Sequence, residues 1–322
     1  MGTNWGSATL RAAIFFLAIF ALSLGSYDLA LAAPPRTPPG IAPTSVEPIG
    51  KDLYSYRWGP YRTMFAVTGE GVIVADPLSD EAARALDSEI DKLTAAPVKY
   101  VVYSHSHWDH AAGARVFKDQ GATIVAQDLC AKNISETPHP DVLPPDVTFA
   151  DDFQIKLGDQ EWDLHYFGPS HSDCLIVIQP KPANILYLVD VLNPPFGYSM
   201  PWNALLPDDH IYNFVPFFDA VDALAKRDGV TQITGGHLSV IRGPDGKPAA
   251  APALGPASAI ADKRRFWDEL LTAVGDEWAK GTYSEVIPDQ LDLDRFADTH
   301  GYNRDEMWLL VRRLGSYYAG GR

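Results

Sequence analysis

Cysteine is scarce in this chain: Cys130 and Cys174 are the only two in 322 residues. That excludes a scaffold built from disulfides and leaves room for a single bridge, in an oxidising compartment. Positive charge is also scarce, with 26 Lys and Arg against 41 Asp and Glu and a net charge of −15. No run of Lys or Arg occurs, so the electrostatic footprint of a nucleic-acid binder is missing. An anionic membrane surface would repel such a chain. No internal repeat occurs, and no apolar stretch reaches the roughly 20 residues of a membrane-spanning helix. What is present is ordinary: 46% hydrophobic and 21% charged residues, as in soluble globular proteins. The 25 glycines and 26 prolines predict many ordered loops, where active sites tend to sit.

Residues 1–32 read as a secretory signal. Arg11 supplies a weak positive start, Ala12–Leu24 an apolar stretch, and Ala30-Leu31-Ala32 a small-x-small cleavage pattern. An uncleaved amino-terminal anchor is the alternative. The expectation is a secreted or periplasmic protein with no stable membrane anchor. Residues 33–50 hold six prolines and read as an extended linker, or an arm on the surface.

The main domain is expected over 51–245. Thr63–Val67 and Gly71–Ala75 read as a hairpin, and Ser79 as the cap of a helix reaching Leu93. Tyr100–Tyr103 reads as a buried strand, Ala111–Lys118 as a short helix and Thr123–Ala126 as a strand. A second hairpin turns at Gly158-Asp159. Strands follow at Leu175–Ile178, Ile185–Val189 and Thr231–Thr234. Asp208–Arg227 reads as a helix that Pro216 should kink. Residues 246–322 are expected to form a helical extension. Strands interleaved with helices predict a layered α/β domain.

The chemistry sits in Ser104-His105-Ser106-His107-Trp108-Asp109-His110, which holds three of the nine histidines. Such a pattern arises by chance on the order of once per million starting points, so coincidence is a poor explanation. Neutral imidazole and carboxylate suit zinc and other first-row metals. In an extended segment residues i and i+2 point the same way, so His105 and His107 can converge on one ion. Asp109 and His110 face elsewhere and can serve a second.

His105-x-His107-x-Asp109-His110 after an apolar strand resembles the signature of the metallo-β-lactamase superfamily, and the resemblance covers about 51–240. Asp76, His171, Asp190 and His237 stand in the order of the family's other motifs. The resemblance implies an αββα sandwich holding two divalent ions, zinc being the first choice. His105, His107 and His171 would hold one, and Asp109, His110 and His237 the other, with Asp190 shared. Asp76 would orient a ligand histidine from behind. His210 is a weaker candidate for the pocket wall, and His139, His165 and His300 read as ordinary surface histidines. The loop Asn193–Trp202, just past Asp190, could wall the pocket or simply bury its own aromatics.

The implied reaction is hydrolysis of a small-molecule ester, thioester or lactone by water activated between two ions, with Asp109 as both ligand and proton carrier. True metallo-β-lactamases place cysteine or serine where this chain has Asp190, whereas many thioesterases, lactonases and glyoxalase II-like hydrolases place aspartate. That ranks a glyoxalase II- or lactonase-like hydrolase first. A β-lactamase is the main alternative, and a mono-iron persulfide dioxygenase-like enzyme or a non-catalytic metal-binding module ranks lower.

Overall fold

The computed structural model describes residues 1–2, 34–194 and 210–321. The expected signal and most of the Asn193–Trp202 loop lie outside the described residues.

Seven strands form the first sheet, in sequence order: β1 (Thr44–Gly50), β2 (Leu53–Trp58), β3 (Tyr61–Thr68), β4 (Gly71–Ala75), β5 (Val98–Val102), β6 (Thr123–Gln127) and β7 (Val147–Phe149). β1 to β4 pair antiparallel and β4 to β7 parallel. Helices α1 (Asp80–Ile90), α2 (Trp108–Ala111), α3 (Arg115–Lys118) and α4 (Asp128–Glu136) fall between the parallel strands. The second sheet begins with β8 (Asp152–Leu157), β9 (Gln160–His165), β10 (Val177–Lys181), β11 (Leu186–Tyr187) and β12 (Gln232–Thr234). A small hairpin follows, β13 (Val240–Arg242) with β14 (Pro248–Ala250). Then β15 (Gly255–Pro256) pairs with β12, so this sheet draws on residues beyond 245. Helix α5 (Phe214–Asp228) precedes β12, and α6 (Ser258–Ala279), α7 (Ile287–Gln290) and α8 (Arg304–Gly320) close the chain.

Three apolar layers show why this is an αββα sandwich. In β4, Ile73 and Ala75 join Met64, Trp162, Ile176 and Tyr187 between the sheets. Their neighbours Val72 and Val74 face the other way and pack with Leu86 and Ile90 of α1. A strand covered on both faces must be apolar at every position, which explains the unbroken run of β4; β5 buries Val98, Val101 and Val102 but exposes Lys99. The third layer packs α5, α6 and α8 on the second sheet through Leu186, Leu188, Phe217, Trp267 and Leu310. The carboxy-terminal helices thus share one core with that sheet.

Local expectations mostly hold. The Ser79 hydroxyl accepts from Ala82 N at 3.1 Å, a cap that contributes about 1 kcal/mol. Two features differ. The linker expected over 33–50 ends early, because Thr44–Gly50 pairs along β2 as an edge strand. An edge position leaves one row of N–H groups unused and so tolerates Pro48. Pro216 does not kink α5, because that helix begins at Phe214 and the proline falls in its first turn, where an N–H is dispensable. No described helix is long and apolar enough to cross a membrane.

Candidate metal centre

Every candidate ligand lies just past the end of a strand. Asp76 follows β4, the histidine cluster follows β5, and His171, Asp190 and His237 follow β9, β11 and β12. Within each sheet these strands run in the same direction, so their carboxyl ends share an edge. The two sheets are tied at this edge. Arg62 N donates to Gly236 O at 2.7 Å, and Leu238 N to Pro60 O at 2.7 Å.

Seven side chains converge there in two groups. His105, His107, His171 and Asp190 offer donor atoms within 4.8 Å of one another, and so do Asp109, His110 and His237. Asp190 joins the groups. Its Oδ2 lies 3.5 Å from His105 Nε2, 3.3 Å from His171 Nε2 and 3.2 Å from His110 Nε2, and its Oδ1 lies 2.8 Å from His237 Nε2. His171 Nε2 and His107 Nδ1 are 3.1 Å apart, and the Nε2 atoms of His110 and His237 are 3.3 Å apart. The seven residues singled out in the sequence are brought together at this edge.

The electrostatics fit the same use. Burial, reinforced by His107 and His110, holds the His105 pKa well below the ordinary histidine value. His105 is therefore neutral, with Nδ1 2.9 Å from the Ser104 hydroxyl. Its Nε2 is fully buried and has no hydrogen-bond partner, which is costly unless a ligand completes it. Burial works to lower the His110 pKa, but the Asp190 and Asp76 carboxylates outweigh it and hold the pKa well above normal. Burial likewise works to raise Asp190, yet His110 and His237 hold its carboxyl well below the usual range. A group of five imidazoles and two carboxylates around a buried, unpartnered nitrogen fits two divalent ions with N and O ligands.

Behind these donors stands a supporting layer. Asp76 is fully buried. Its Oδ1 accepts from Ser104 N at 2.7 Å, and its Oδ2 stands 3.4 Å from His110 Nδ1. Tyr187, which the sequence reasoning passed over, donates from its hydroxyl to Arg62 O at 2.9 Å and reaches Asp76 Oδ2 at 3.4 Å. Asn193 Oδ1 accepts from His237 N at 3.0 Å, and the Tyr61 ring lies 5.3 Å from the His237 ring. Asp76 and Asp190 both have positive φ, 30° and 61°. Such backbone is strained outside glycine and concentrates at functional sites. Gly236 is needed for close approach, since a β-carbon would sit 2.7 Å from Val189 Cγ1 and 3.0 Å from His110 Cε1.

Cys130 and Cys174 form a disulfide that ties α4 to the loop carrying His171. His210 lines the cavity beside the donors, along with Trp108 and Asp109. His139, read as a surface residue, packs against Trp108 with ring centroids 4.3 Å apart. His165 pairs with Asp152 and borders a separate concavity of about 880 Å³ that holds none of the seven donors.

The sequence model of the metallo-β-lactamase superfamily matches residues 56–237, more than half of the chain. The chain belongs to the metallo-β-lactamase superfamily. Among curated relatives, it is 24% identical over 178 residues to the 2,4-dinitroanisole O-demethylase subunit alpha of Nocardioides sp. (strain JS1661), covering 53% of this chain and 52% of that protein. It is 29% identical over 120 residues to the metallo-β-lactamase type 2 of Elizabethkingia meningoseptica, covering 37% and 47%. The chain thus spans about half the length of the curated relatives it matches. Among solved structures, a metallo-β-lactamase from Pontibacter korlensis superposes with a TM-score of 0.57 at 20% identity, covering 70% of this chain and 99% of that one. The DIM-1 metallo-β-lactamase gives 0.56 at 15% identity, covering 71% and 98%. These superpositions establish the shared superfamily fold.

Proposed function

We propose that this protein is a binuclear metal-dependent hydrolase acting on a small acyl compound. The observation that carries this reading is Asp190, one buried carboxylate reaching both groups of histidines. His105, His107 and His171 would hold one ion and Asp109, His110 and His237 the other, with Asp190 between. When bound, such ions supply Lewis acidity, acidifying water and polarising a carbonyl.

The chain's own side chains do the rest. Asp76 and Ser104 hold the rings of His110 and His105 in place. The Asp109 side chain is 43% exposed and lines the cavity, so it can carry a proton between substrate and solvent. The disulfide supports placing the protein in an oxidising compartment, as the expected export signal does.

Two substrate classes compete. The names of the relatives, mostly β-lactamases, support β-lactam amides more than any ester. Asp190 pulls towards oxygen and sulfur esters and lactones, as in glyoxalase II-like members. Their leaving groups depart without the help that an amide nitrogen needs. The test is steady-state kinetics on esters, thioesters, lactones and β-lactams, before and after chelation, with elemental analysis. Close to two ions per chain and turnover that chelation abolishes are expected. A maximum of one ion per chain, or chelator-resistant turnover, would overturn the binuclear reading.

A further inference from the structure

The cavity beside the donors has a volume of about 780 Å³, and His107 and Asp109 form part of its wall. A substrate seated on the ions that these two residues would hold therefore shares the cavity with its other wall residues. Among the described residues of that wall, His210 is the one imidazole outside the two groups of donors. The main chain fixes where this ring stands. His210 N donates to Ser170 O at 2.6 Å, and Asn213 Nδ2 donates to Pro169 O at 2.7 Å. Asn213 N in turn donates to His210 O at 2.9 Å. The turn at His210 is thus fastened twice to the loop that carries His171, the residue after Ser170.

Neighbouring side chains hold the ring as well. His210 Nδ1 lies 3.2 Å from the Tyr212 hydroxyl, and the two rings meet edge to face with centroids 5.8 Å apart. Tyr212 in turn stacks on Tyr317 of α8, at 5.9 Å and 13°. This contact occupies Nδ1 and leaves Nε2 as the second hydrogen-bonding atom of the ring. A hydroxyl that donates to Nδ1 sets the tautomer with the proton on Nε2. Other polar groups of the wall are already engaged. Asn133 Nδ2 donates to Asp173 Oδ1 at 2.5 Å, and the Ser172 hydroxyl accepts from Cys174 N at 3.4 Å. A fixed N–H donor is most useful where negative charge develops during the reaction. Acyl hydrolysis develops it on two oxygens, the carbonyl oxygen and the oxygen of the leaving group. The metal centre serves the first, and the second has no partner assigned.

We infer that His210 is a catalytic residue whose Nε2–H donates to the leaving-group oxygen as the acyl C–O bond breaks, with Tyr212 as the positioning residue behind it. This rests on the hydrolase reading above and deepens it. The electron pair of the broken bond goes to the departing oxygen. The attacking water supplies both the new acyl oxygen and the proton that the departing oxygen finally takes. His210 contributes a hydrogen bond and neither gains nor loses a proton overall. Its contribution grows with the basicity of the leaving group, because a 4-nitrophenolate carries its charge unaided and an alkoxide does not.

The test compares the zinc-loaded full chain with His210→Ala, His210→Gln and Tyr212→Phe on the acetate esters of 4-nitrophenol, phenol and ethanol. In His210→Ala, kcat/KM on the ethyl ester should fall about 10–100-fold, as for one lost hydrogen bond to a developing charge. The 4-nitrophenyl ester should lose less than about threefold. His210→Gln keeps an N–H and should recover most of the loss. Tyr212→Phe should show a smaller loss with the same dependence on leaving group. Elemental analysis should find the same metal content in all four proteins. An equal loss on all three esters, or metal lost together with turnover, overturns the inference and makes His210 a structural residue. A second readout needs no turnover. Methyl methylphosphonate presents a methoxy oxygen where the leaving oxygen would stand. Titration calorimetry should show it binding about tenfold more weakly to His210→Ala than to the unaltered chain or His210→Gln. Equal binding to His210→Ala and the unaltered chain, or no binding to either, also overturns the inference. If no ester is hydrolysed, the hydrolase reading fails, and the calorimetry alone decides the role of His210.

Discussion

Opening the Cys130–Cys174 disulfide should cost the fold about 4 kcal/mol, and it should reach the metal centre as well. The bridge spans a sequence separation of 44, and the chain-entropy relation for a loop of that length yields about 4 kcal/mol of constraint on the unfolded chain. Domains typically hold about 5–15 kcal/mol in total, so this is a large share. Both cysteines are fully buried, so reductant reaches the bond only after local opening. Cys174 follows His171 closely in the chain, and its partner Cys130 anchors it to α4. The expected outcome is a lower urea midpoint for Cys130→Ala/Cys174→Ala, matched within about 1 kcal/mol by the unaltered chain unfolded in reductant. Mild reductant on the folded protein should leave the midpoint unchanged. Metal titration of the double variant should show weaker uptake at the group that includes His171. A stability loss below about 1 kcal/mol in both comparisons would refute the loop-entropy argument.

Other outcomes follow from the same geometry. Asp190→Ser shortens the one side chain that spans both groups, so it should bind one ion more weakly and lose esterase turnover; unchanged stoichiometry and affinity would count against the bridging role. Asp76→Asn keeps the shape but weakens the hold on His110, and a loss of about 10–100-fold in metal affinity is expected by competition with a chromogenic chelator. Gly236→Ala should destabilise the fold by about 1–3 kcal/mol in urea, since its β-carbon meets Val189 and His110. Asp228 is held down to about 2 by its hydrogen bonds from Arg227, against an ordinary value of 3.8. A depressed carboxyl stabilises the fold above its ordinary pKa and loses that contribution as pH falls through the folded value. NMR titration should therefore find Asp228 near 2, and nearer its ordinary value in Arg227→Ala.

Much of the molecule was legible because the signals are local. The spacing His105-x-His107-x-Asp109-His110 encodes a metal loop within six residues. The hairpin at Thr68-Gly69-Glu70 and the Ser79 cap need no distant partner to be recognised, and all are present. The unbroken apolar run of β4 announces a strand covered on both faces, hence the layered fold. Misreadings arose where position within an element matters more than residue type. Pro216 is harmless in a first turn, and Thr44–Gly50 can be a strand because it lies at an edge.

By itself the sequence determined the metal loop, the order of the remaining ligands and the family resemblance, since each depends on spacing along the chain. Only the tertiary structure decided how residues far apart in sequence meet. It set Asp76 behind His110 across a parallel strand pair, Asp190 between two groups of histidines, and Cys130 against Cys174. It also put Trp108, Asp109 and Asp173 around one cavity. Spacing reports which side chains share a face within a few residues. Donor distances, burial and the charge of a pocket wall come from segments joined by sheet pairing and packing, so they exist only once the chain has folded.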